Sequence, residues 1–525
     1  MSRYDVVIVG SGINSLVCGA ILAKRGRRVC VLERESVLGG CIRTEELTVS
    51  GFKHDTLSTL YPLFVTSPHF PLLKDDLARF GATFVNTDTP TAVVRSDRST
   101  LIFTRSRAQN IAALEAIRAG DGAAYSAAMQ EIEHFCGLTF GLLGGEPLTR
   151  RTLGLLAKRW WSNGSQDLSE YFSTALLDCR SWLESNFRSE LARALFAPWV
   201  LHVGLGPESA TSGLMGKLIM FTLEAAGGPM VVGGSANMVT AFAGLIRSLG
   251  GELYTDAEVE RVLVDGKVAR GVRLVDGREF GATEAVVCNV TPTQLYGRLL
   301  SSENVPSHVR VQASGFRYGR GEMQIHLALN ELPQWTDERL GCVAMLHITD
   351  GLDAVSRAVN EALRGLLPAQ ATIVVAQPTV LDPSRAPAGK SILWIQLQEL
   401  PSKIKGDALG EIACPSDGSW TEEVRERYAD RIVDRLCGYI PNLEHSILGR
   451  CVLSPADLER ININLVGGDP YSGSCELSQF MMWRPFSATR NHATPVRKLF
   501  HIGASTHPGP GLGGMSGFMV AQAIA

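Results

Sequence analysis

The chain has 525 residues, of which 45% are hydrophobic and 20% are charged, the usual balance of a globular protein with a core. This composition excludes a disordered or fibrous chain. Fifty lysines and arginines against 53 acidic residues give a net charge of −3, so nucleic acid is not expected as a partner.

The cysteine pattern and the hydropathy of the sequence predict in which cellular compartment the protein is found. The 11 cysteines are scattered and form no CxxC pair, which favours free buried thiols in a reducing compartment over disulfides, and no metal site is predicted. No uncharged apolar run approaches the ~18 residues of a membrane-spanning helix. These features predict a cytoplasmic protein.

The amino terminus has the pattern of a βαβ unit. The β-branched residues from Val6 to Val9 predict a strand that is buried on both faces. A helix is predicted from Ser15 to Arg25, followed by Gly26 as its cap. A second strand is predicted from Val29 to Leu32.

The turn inside this unit predicts a dinucleotide site. Gly10 and Gly12 allow a tight turn and a close approach of backbone N–H groups to a pyrophosphate at the helix N-terminus. Glu33 ends the second strand, where a carboxylate accepts hydrogen bonds from ribose hydroxyls. Ser15 replaces the third glycine of the fingerprint and is small enough for close helix–strand packing.

The segment after Glu33 distinguishes a flavin from a nicotinamide. Gly39 and Gly40 are followed by Arg43 and Thr44, and such a segment can wrap the far side of the dinucleotide, with Arg43 on phosphate. A nicotinamide dehydrogenase has no reason to carry it. The sequence therefore predicts FAD as the cofactor.

The segment 107–225 is predicted to be mainly helical, and the region after it contains strands. Two Asp-Gly turns, at Asp265-Gly266 and Asp276-Gly277, predict hairpins. The predicted strands are Glu258–Val264, Val268–Val275 and Ala285–Cys288.

The carboxy terminus, Leu499–Ala525, has the pattern of a strand, a glycine-rich turn and a final helix. The glycines allow close backbone approach to a ligand, and the helix N-terminus can stabilise negative charge on a reduced flavin. Three further blocks complete the pattern: Gly51–Pro62, the segment from Gly227 to Val262, and Asp382–Lys390.

Together these blocks resemble one family. The sequence is similar to the FAD-dependent phytoene desaturase-like superfamily, of carotenoid oxidoreductase type, within the flavin amine oxidase fold group. Within it, the resemblance is to the branch of retinol saturase and pyridine nucleotide-disulfide oxidoreductase domain-containing protein 2.

The resemblance implies an α/β fold in which an FAD-binding Rossmann-like domain of the GR2 type is interleaved with a mixed α+β substrate domain. The FAD domain is expected at 1–100, 226–300 and 480–525, and the substrate domain at 101–225 and 301–479. The turn at Gly511–Met515 is expected near the flavin ring, and the backbone of Val259 against the adenine. The expected cofactor-binding residues are Gly10, Gly12, Ile13, Asn14, Ser15, Glu33, Arg34, Gly39, Gly40, Arg43, Thr44, Val259, Gly503, Ala504, Gly511, Leu512, Gly513 and Met515.

Two histidines are the candidate catalytic residues. His507, in the THPGPG turn, could bind substrate or act as a base, or it could only order its turn. His54 could touch flavin or substrate, although a structural use is more common. Gln324 and His326 are predicted on one face of a substrate-domain strand, where a core role is the more common one.

The resemblance implies an FAD-dependent oxidoreductase that dehydrogenates a lipophilic or extended substrate by hydride transfer to the flavin. The alternatives are a flavin oxidase acting on a C–N bond, a saturase or isomerase of the same family, and a non-enzymatic flavoprotein. The expected partners are a small apolar substrate and an electron acceptor: oxygen, a quinone or another carrier.

The segment 148–164 combines cations with Trp160 and Trp161. A basic amphipathic helix of this kind can lie in the plane of lipid headgroups. The more common arrangement is a helix that packs its apolar side inward. Peripheral membrane contact through 148–164 is therefore the less favoured of two alternatives.

Overall fold

The computed structural model describes residues 2–490 and 492–524. Met1, Asn491 and Ala525 lie outside the described residues, and so do the ends of the expected domain ranges at 1 and 525.

The strands form two large sheets and three two-stranded ribbons. In chain order the strands are β1 (Ser2–Val9), β2 (Val29–Leu32), β3 (Thr44–Glu45), β4 (His54–Asp55), β5 (Phe84–Val85), β6 (Thr91–Val94), β7 (Thr100–Phe103), β8 (Met230–Val231), β9 (Glu252–Tyr254), β10 (Val259–Asp265), β11 (Val268–Leu274), β12 (Glu279–Asn289), β13 (Gly321–Leu329), β14 (Met345–Ile348), β15 (Leu366–Leu367), β16 (Ile373–Ala376), β17 (Ser391–Leu400), β18 (Gly406–Asp407), β19 (Ile447–Leu453) and β20 (Leu499–Ile502).

The helices lie between these strands along the chain. In order they are α1 (Ile13–Lys24), α2 (Pro62–Val65), α3 (Phe70–Arg79), α4 (Arg107–Ile117), α5 (Asp121–Leu143), α6 (Arg150–Leu176), α7 (Cys179–Asn186), α8 (Glu190–Phe196), α9 (Ser212–Ala226), α10 (Ala236–Ser248), α11 (Pro292–Gln294), α12 (Ser307–Ser314), α13 (Leu352–Leu363), α14 (Pro378–Leu381), α15 (Glu422–Cys437), α16 (Leu443–Ser446), α17 (Pro455–Ile461) and α18 (Met515–Ile524).

The first sheet has the strand order β10–β11–β12–β1–β2–β9, with β20 beside β12. β1 is parallel to β2 and to β12, and Val6 lies between Val29 and Ala285. Alternate residues of β1 enter different cores: Val6 and Ile8 pack with α1 and α10, whereas Val7 packs with the hairpin strands β10 and β11. The continuous apolar run predicted this two-sided burial.

The second sheet has the order β19–β13–β17–β16–β14–β6–β7. One of its faces packs against α15 through residues such as Ile325, Ile395 and Tyr428. Strand β6 begins at Thr91 and already pairs with β14 of this sheet. The chain therefore enters the second sheet about ten residues before the expected domain boundary at residue 100.

A layer of helices, α4 to α9, covers the other side of the second sheet, and residues 107–225 are mainly helical as predicted. Their core contains Tyr125, Phe196 and Trp394. Helix α6 consists of two helical segments that meet at Gly164, where φ is +87°. Throughout the described ranges, the helices are too short or too polar to cross a membrane.

A buried ion-pair network connects strand β4 to the loop that follows α14. The Arg385 guanidinium lies 2.9 Å from the carboxylates of both Asp55 and Asp382, and Arg385 also donates a hydrogen bond of 2.8 Å to Val231 O. The Arg385 side chain has no exposed surface. The loop that contains Arg385 is therefore held against β4 through Asp55 and against β8 through Val231.

Candidate active site

A single large cavity lies between the first sheet, the second sheet and the helices, with a volume of about 1430 Å³. Pockets for one drug-sized ligand have about 300–1,000 Å³. The cavity begins at the turn after β1 and extends to an apolar region beneath α5, α6 and α9. It therefore has room for a dinucleotide and a second molecule.

The turn after β1 has the geometry of a phosphate cradle. Gly10 has φ of +84°, and a Cβ atom there would lie 3.0 Å from Asn289 O. Gly12 is the N-cap of α1 and supplies no side-chain hydrogen bond. The first-turn N–H groups of α1 are therefore left without a side-chain cap at the cavity wall, where an anion is favoured.

Glu33 is held rigidly at the end of β2. Its Oε2 accepts hydrogen bonds from Ser11 N, at 2.9 Å, and from Ser11 Oγ, at 2.6 Å. Oε1 accepts a third from Glu35 N, at 3.0 Å. Since each carboxylate oxygen can accept two hydrogen bonds, Glu33, which lines the cavity, keeps capacity at Oε1 for one more, such as one from a ribose hydroxyl.

The glycine pair after β2 packs directly on the phosphate turn. A Cβ atom on Gly40 would lie 3.2 Å from the Cα of Gly12, and one on Gly39 would lie 2.5 Å from Ile42 O. Arg43 donates a hydrogen bond of 3.1 Å from Nε to Gly40 O and lines the cavity. Only a loop without side chains at these two positions can approach the turn so closely.

Asn289 links the two ends of the chain, and the sequence analysis did not single it out. It ends β12 and lines the cavity. Its Nδ2 donates a hydrogen bond of 2.9 Å to Ser15 Oγ, and a Cβ atom on Gly503 would lie 2.5 Å from its Oδ1. Ligands bind beyond the carboxyl ends of parallel strands. Asn289 directly follows the predicted strand at 285–288, so this rule could have identified it.

The glycine-rich turn between β20 and α18 forms another part of the wall. Gly511 has φ of +127°, and a Cβ atom there would lie 2.6 Å from Leu63 Cδ1. At Gly514 a Cβ atom would lie 2.6 Å from Val17 Cγ2. A side chain at Gly511 would push the turn away from α2 and one at Gly514 would push it away from α1, so the glycines keep the turn on the cavity.

The cavity brings together 16 of the 18 expected cofactor-binding residues. These are Gly10, Gly12, Ile13, Asn14, Glu33, Arg34, Gly39, Gly40, Arg43, Val259, Gly503, Ala504, Gly511, Leu512, Gly513 and Met515. Ser15 and Thr44 are not among the lining residues. Ser15 supports Asn289, and Thr44 Oγ1 donates a hydrogen bond of 2.7 Å to Asp55 Oδ1.

Neither candidate catalytic histidine is among the residues that line the cavity. The His54 ring is hydrogen-bonded through Nε2 to Thr48 Oγ1 at 2.8 Å, and burial, together with the Arg385 cation, lowers its pKa to about 4. His507 is buried beside the end of α5, and burial lowers its pKa to about 4 as well. Its neighbour Pro508 does line the cavity.

The far part of the cavity is mainly apolar. Its lining includes Leu60, Phe140, Leu143, Leu155, Val203, Met215, Leu218, Ile219, Leu223 and Met345. The second sheet contributes polar residues to the same region. Burial, together with the nearby Asp469 carboxyl, raises the pKa of Glu322 well above its usual range.

The residues present fit FAD. The uncapped helix N-terminus suits a pyrophosphate, Glu33 suits a ribose, and the glycines at 39, 40 and 503 leave no room for side chains where the wall is closest.

Comparisons with known proteins show what this chain is similar to. Residues 8–77 match the NAD(P)-binding Rossmann-like domain family. The chain is 28% identical over 559 residues to pyridine nucleotide-disulfide oxidoreductase domain-containing protein 2 of Mus musculus, with 99% of this chain and 93% of that protein covered. It is 26% identical over 530 residues to the zeta-carotene-forming phytoene desaturase of Myxococcus xanthus, with 97% and 90% covered.

Phytoene desaturases are homologues of this chain. A solved structure of putrescine oxidase bound to putrescine has a TM-score of 0.63 and 16% identity, with 99% of each chain covered. That likeness shows the fold alone, which is the flavin amine oxidase fold. The α/β fold and the family resemblance inferred from the sequence are thereby confirmed.

Proposed function

We propose that this chain is an FAD-dependent oxidoreductase that dehydrogenates a lipophilic organic substrate. The observation that carries the proposal is the continuity of the cavity. One wall has the glycine turn, the helix N-terminus and Glu33, and the same cavity continues into a region lined by apolar side chains of α5, α6 and α9. The homologous phytoene desaturase is also an enzyme of desaturation, as its name states.

The chain's own residues would bind, orient and exclude water. The first-turn amides of α1 and the Arg43 cation would hold the diphosphate, and Glu33 would hold the ribose. When bound, FAD supplies an acceptor for a hydride from the substrate. The apolar side chains keep water from the reacting carbon, and the N-terminus of α18 favours negative charge beside it.

Anaerobic reduction of bound flavin tests this proposal. The purified protein, with FAD added, is expected to be yellow. It should lose its flavin absorbance band at about 450 nm when a lipophilic substrate is added without oxygen. Reoxidation by oxygen or by a quinone then identifies the acceptor. A colourless protein that takes up no FAD would contradict the proposal.

We further propose that α6 contacts a lipid membrane and that the substrate enters the cavity from the membrane at this helix. Arg151 and Lys158 are exposed and line the cavity, so they mark its mouth. On the same helix, Leu153 is 66% and Trp161 89% exposed, and this combination suits a membrane interface. Flotation with vesicles of phosphatidylserine and phosphatidylcholine is expected to carry the protein upward, and Trp161→Ser with Leu153→Ser to abolish this. The matched control is Val311→Ser, on an exposed residue of α12.

A further inference from the structure

The face of the second sheet that borders the cavity has a row of polar side chains, called here the polar floor. Its members all line the cavity: Glu322 and Gln324 on β13, and Trp394, Gln396 and Gln398 on β17. Gln324 lies opposite Gln396 in the antiparallel pair. The alternate residues Met323 and Leu397 face the apolar core.

The hydrogen bonds within the polar floor leave its amide oxygens free. Glu322 Oε1 accepts hydrogen bonds from Gln324 Nε2, at 2.6 Å, and from Gln396 Nε2. Gln398 Nε2 donates to Tyr471 Oη at 3.1 Å. One N–H of each of these glutamines is therefore bound by the protein, and the carbonyl oxygens of Gln324 and Gln398 take no part in these bonds.

Three of these polar atoms are buried without a partner in the described part of the chain: Gln324 Oε1, Gln398 Oε1 and the indole Nε1 of Trp394. Buried polar atoms are nearly always hydrogen-bonded in folded proteins. A cluster that served only the fold would satisfy its own atoms. Because all three residues belong to the cavity wall, the missing partners are expected from a ligand.

The chemistry of the three atoms limits the ligand. Two amide oxygens need donors, and one indole N–H needs an acceptor. One hydroxyl can donate to one of the two amide oxygens and accept from the indole, whereas a carbonyl only accepts and an ammonium only donates. Burial raises the pKa of Glu322, which makes the floor a poorer countercharge for an ammonium.

We propose that the polar floor is a hydrogen-bonding subsite for a hydroxyl group on an otherwise apolar substrate. The inference rests on the proposed function for the use of this cavity as a substrate site, and it narrows the substrate class. A pure hydrocarbon would leave the three polar atoms of the floor unpaired.

Three probes of equal size test the subsite: 2-naphthalenemethanol, 2-ethylnaphthalene and 2-naphthylmethylamine. Their affinities are measured by calorimetry on the full chain with FAD added. A purely apolar cavity would favour the ethyl compound, because it removes more apolar surface from water. We expect instead that the alcohol binds about 10-fold more tightly than either of the others.

Substitutions in the floor locate the effect. Gln324→Leu and Gln398→Leu are expected to remove the advantage of the alcohol over the ethyl compound. Gln377→Leu is the matched control, since Gln377 is a buried glutamine that accepts a hydrogen bond of 2.9 Å from Trp335 Nε1 and is not among the lining residues. If a floor variant fails to fold, the order of the three probe affinities in the unmodified protein still tests the subsite.

Equal affinities, tighter binding of the ethyl compound, or no binding of any probe would overturn the subsite. Tightest binding of the amine would also overturn it and would favour C–N oxidation. An alcohol preference that survives both floor variants places the hydroxyl elsewhere and overturns it too. FAD uptake, recorded on the same samples, separates the two proposals. If the protein binds FAD but does not prefer the alcohol among the three probes, only the subsite is contradicted. If the protein does not bind FAD, the proposed function is contradicted.

Discussion

Ser516 Oγ donates a hydrogen bond of 2.9 Å to Asn14 Oδ1, between residues 502 positions apart in the chain. It lies where the first turn of α18 meets the first turn of α1. The next residue, Gly517, is so close to α1 that a Cβ atom would lie 1.8 Å from Asn14 O. The two ends of the chain therefore close one wall of the cavity through direct contact.

Gly517→Ala is expected to separate these two helices. A methyl group at 1.8 Å from a backbone oxygen forces the helices to shift, and overpacking of this kind costs about 1–3 kcal/mol or more. The urea midpoint should fall and bound FAD should be lost on gel filtration. Gly297→Ala is the control, because a Cβ atom there meets nothing within 4 Å; equal behaviour of the two variants would contradict the contact.

Arg385→Leu is expected to destabilise the whole fold. It leaves the buried carboxylates of Asp55 and Asp382 without their shared cation, and breaking a buried pair costs about 3–5 kcal/mol. Urea denaturation measures the loss. Arg339→Leu removes an exposed pair with Asp337 and should change stability by about 1 kcal/mol or less. Similar losses in both variants would argue against the network.

Glu33→Ala is expected to weaken FAD binding by about 10- to 100-fold, since hydrogen bonds to a charged group are worth about 1.5–3 kcal/mol. The substitution also frees the Ser11 amide and hydroxyl that Glu33 now holds. Titration of the apoprotein with FAD, followed by flavin fluorescence, gives the affinity. Glu46→Ala, an exposed carboxylate outside the cavity, should bind FAD normally; a normal affinity for Glu33→Ala as well would refute the ribose role.

The stability of the protein is expected to fall as the pH drops from about 6.5 to about 4. Burial lowers the pKa values of four histidines to about 4: His54, His69, His501 and His507. In the unfolded chain they titrate near 6.5, so between these values the unfolded state binds more protons and gains stability relative to the fold. Each histidine contributes a slope of up to about 1.4 kcal/mol per pH unit.

Denaturation by urea at pH 7, 6 and 5 measures this slope. His54→Gln should reduce it by the share of one histidine, and His308→Gln, on an exposed residue, should leave it unchanged. A stability that stays constant from pH 7 to pH 5 would show that these imidazoles titrate in the fold as they do in the unfolded chain.

A catalytic role for His507 stays a prediction. With a pKa of about 4, its imidazole is neutral at pH 7 and able to accept a proton. Loss of a general base lowers rates by about 10²- to 10⁴-fold. Since His507 is not among the residues that line the cavity, the catalytic role holds only if His507→Gln slows anaerobic flavin reduction by at least about 100-fold while FAD stays bound. A loss of FAD with a smaller change in rate is the result for a residue that only orders its turn. The same test applies to His54→Gln.

Local signals along the chain determined the dinucleotide-binding part of this protein. A buried strand, two glycines, a helix and a terminal acid lie within residues 6–33, and their spacing is set by the turn and the helix themselves. The same holds for the hairpins around Gly266 and Gly277. Such elements are predictable because each depends on residues that are neighbours in sequence.

Only the tertiary structure decided which residues line the far part of the cavity. Gln324 and Trp394 meet in one wall because β13 pairs with β17, and Asp55 meets Arg385 from 330 positions away. The sequence did place Gln324 on one face of a strand, but that pattern does not state what the face borders. Long-range contacts of this kind depend on how sheets and helices pack as whole elements, and for that reason the cofactor's side of the cavity was predictable and the substrate's side was not.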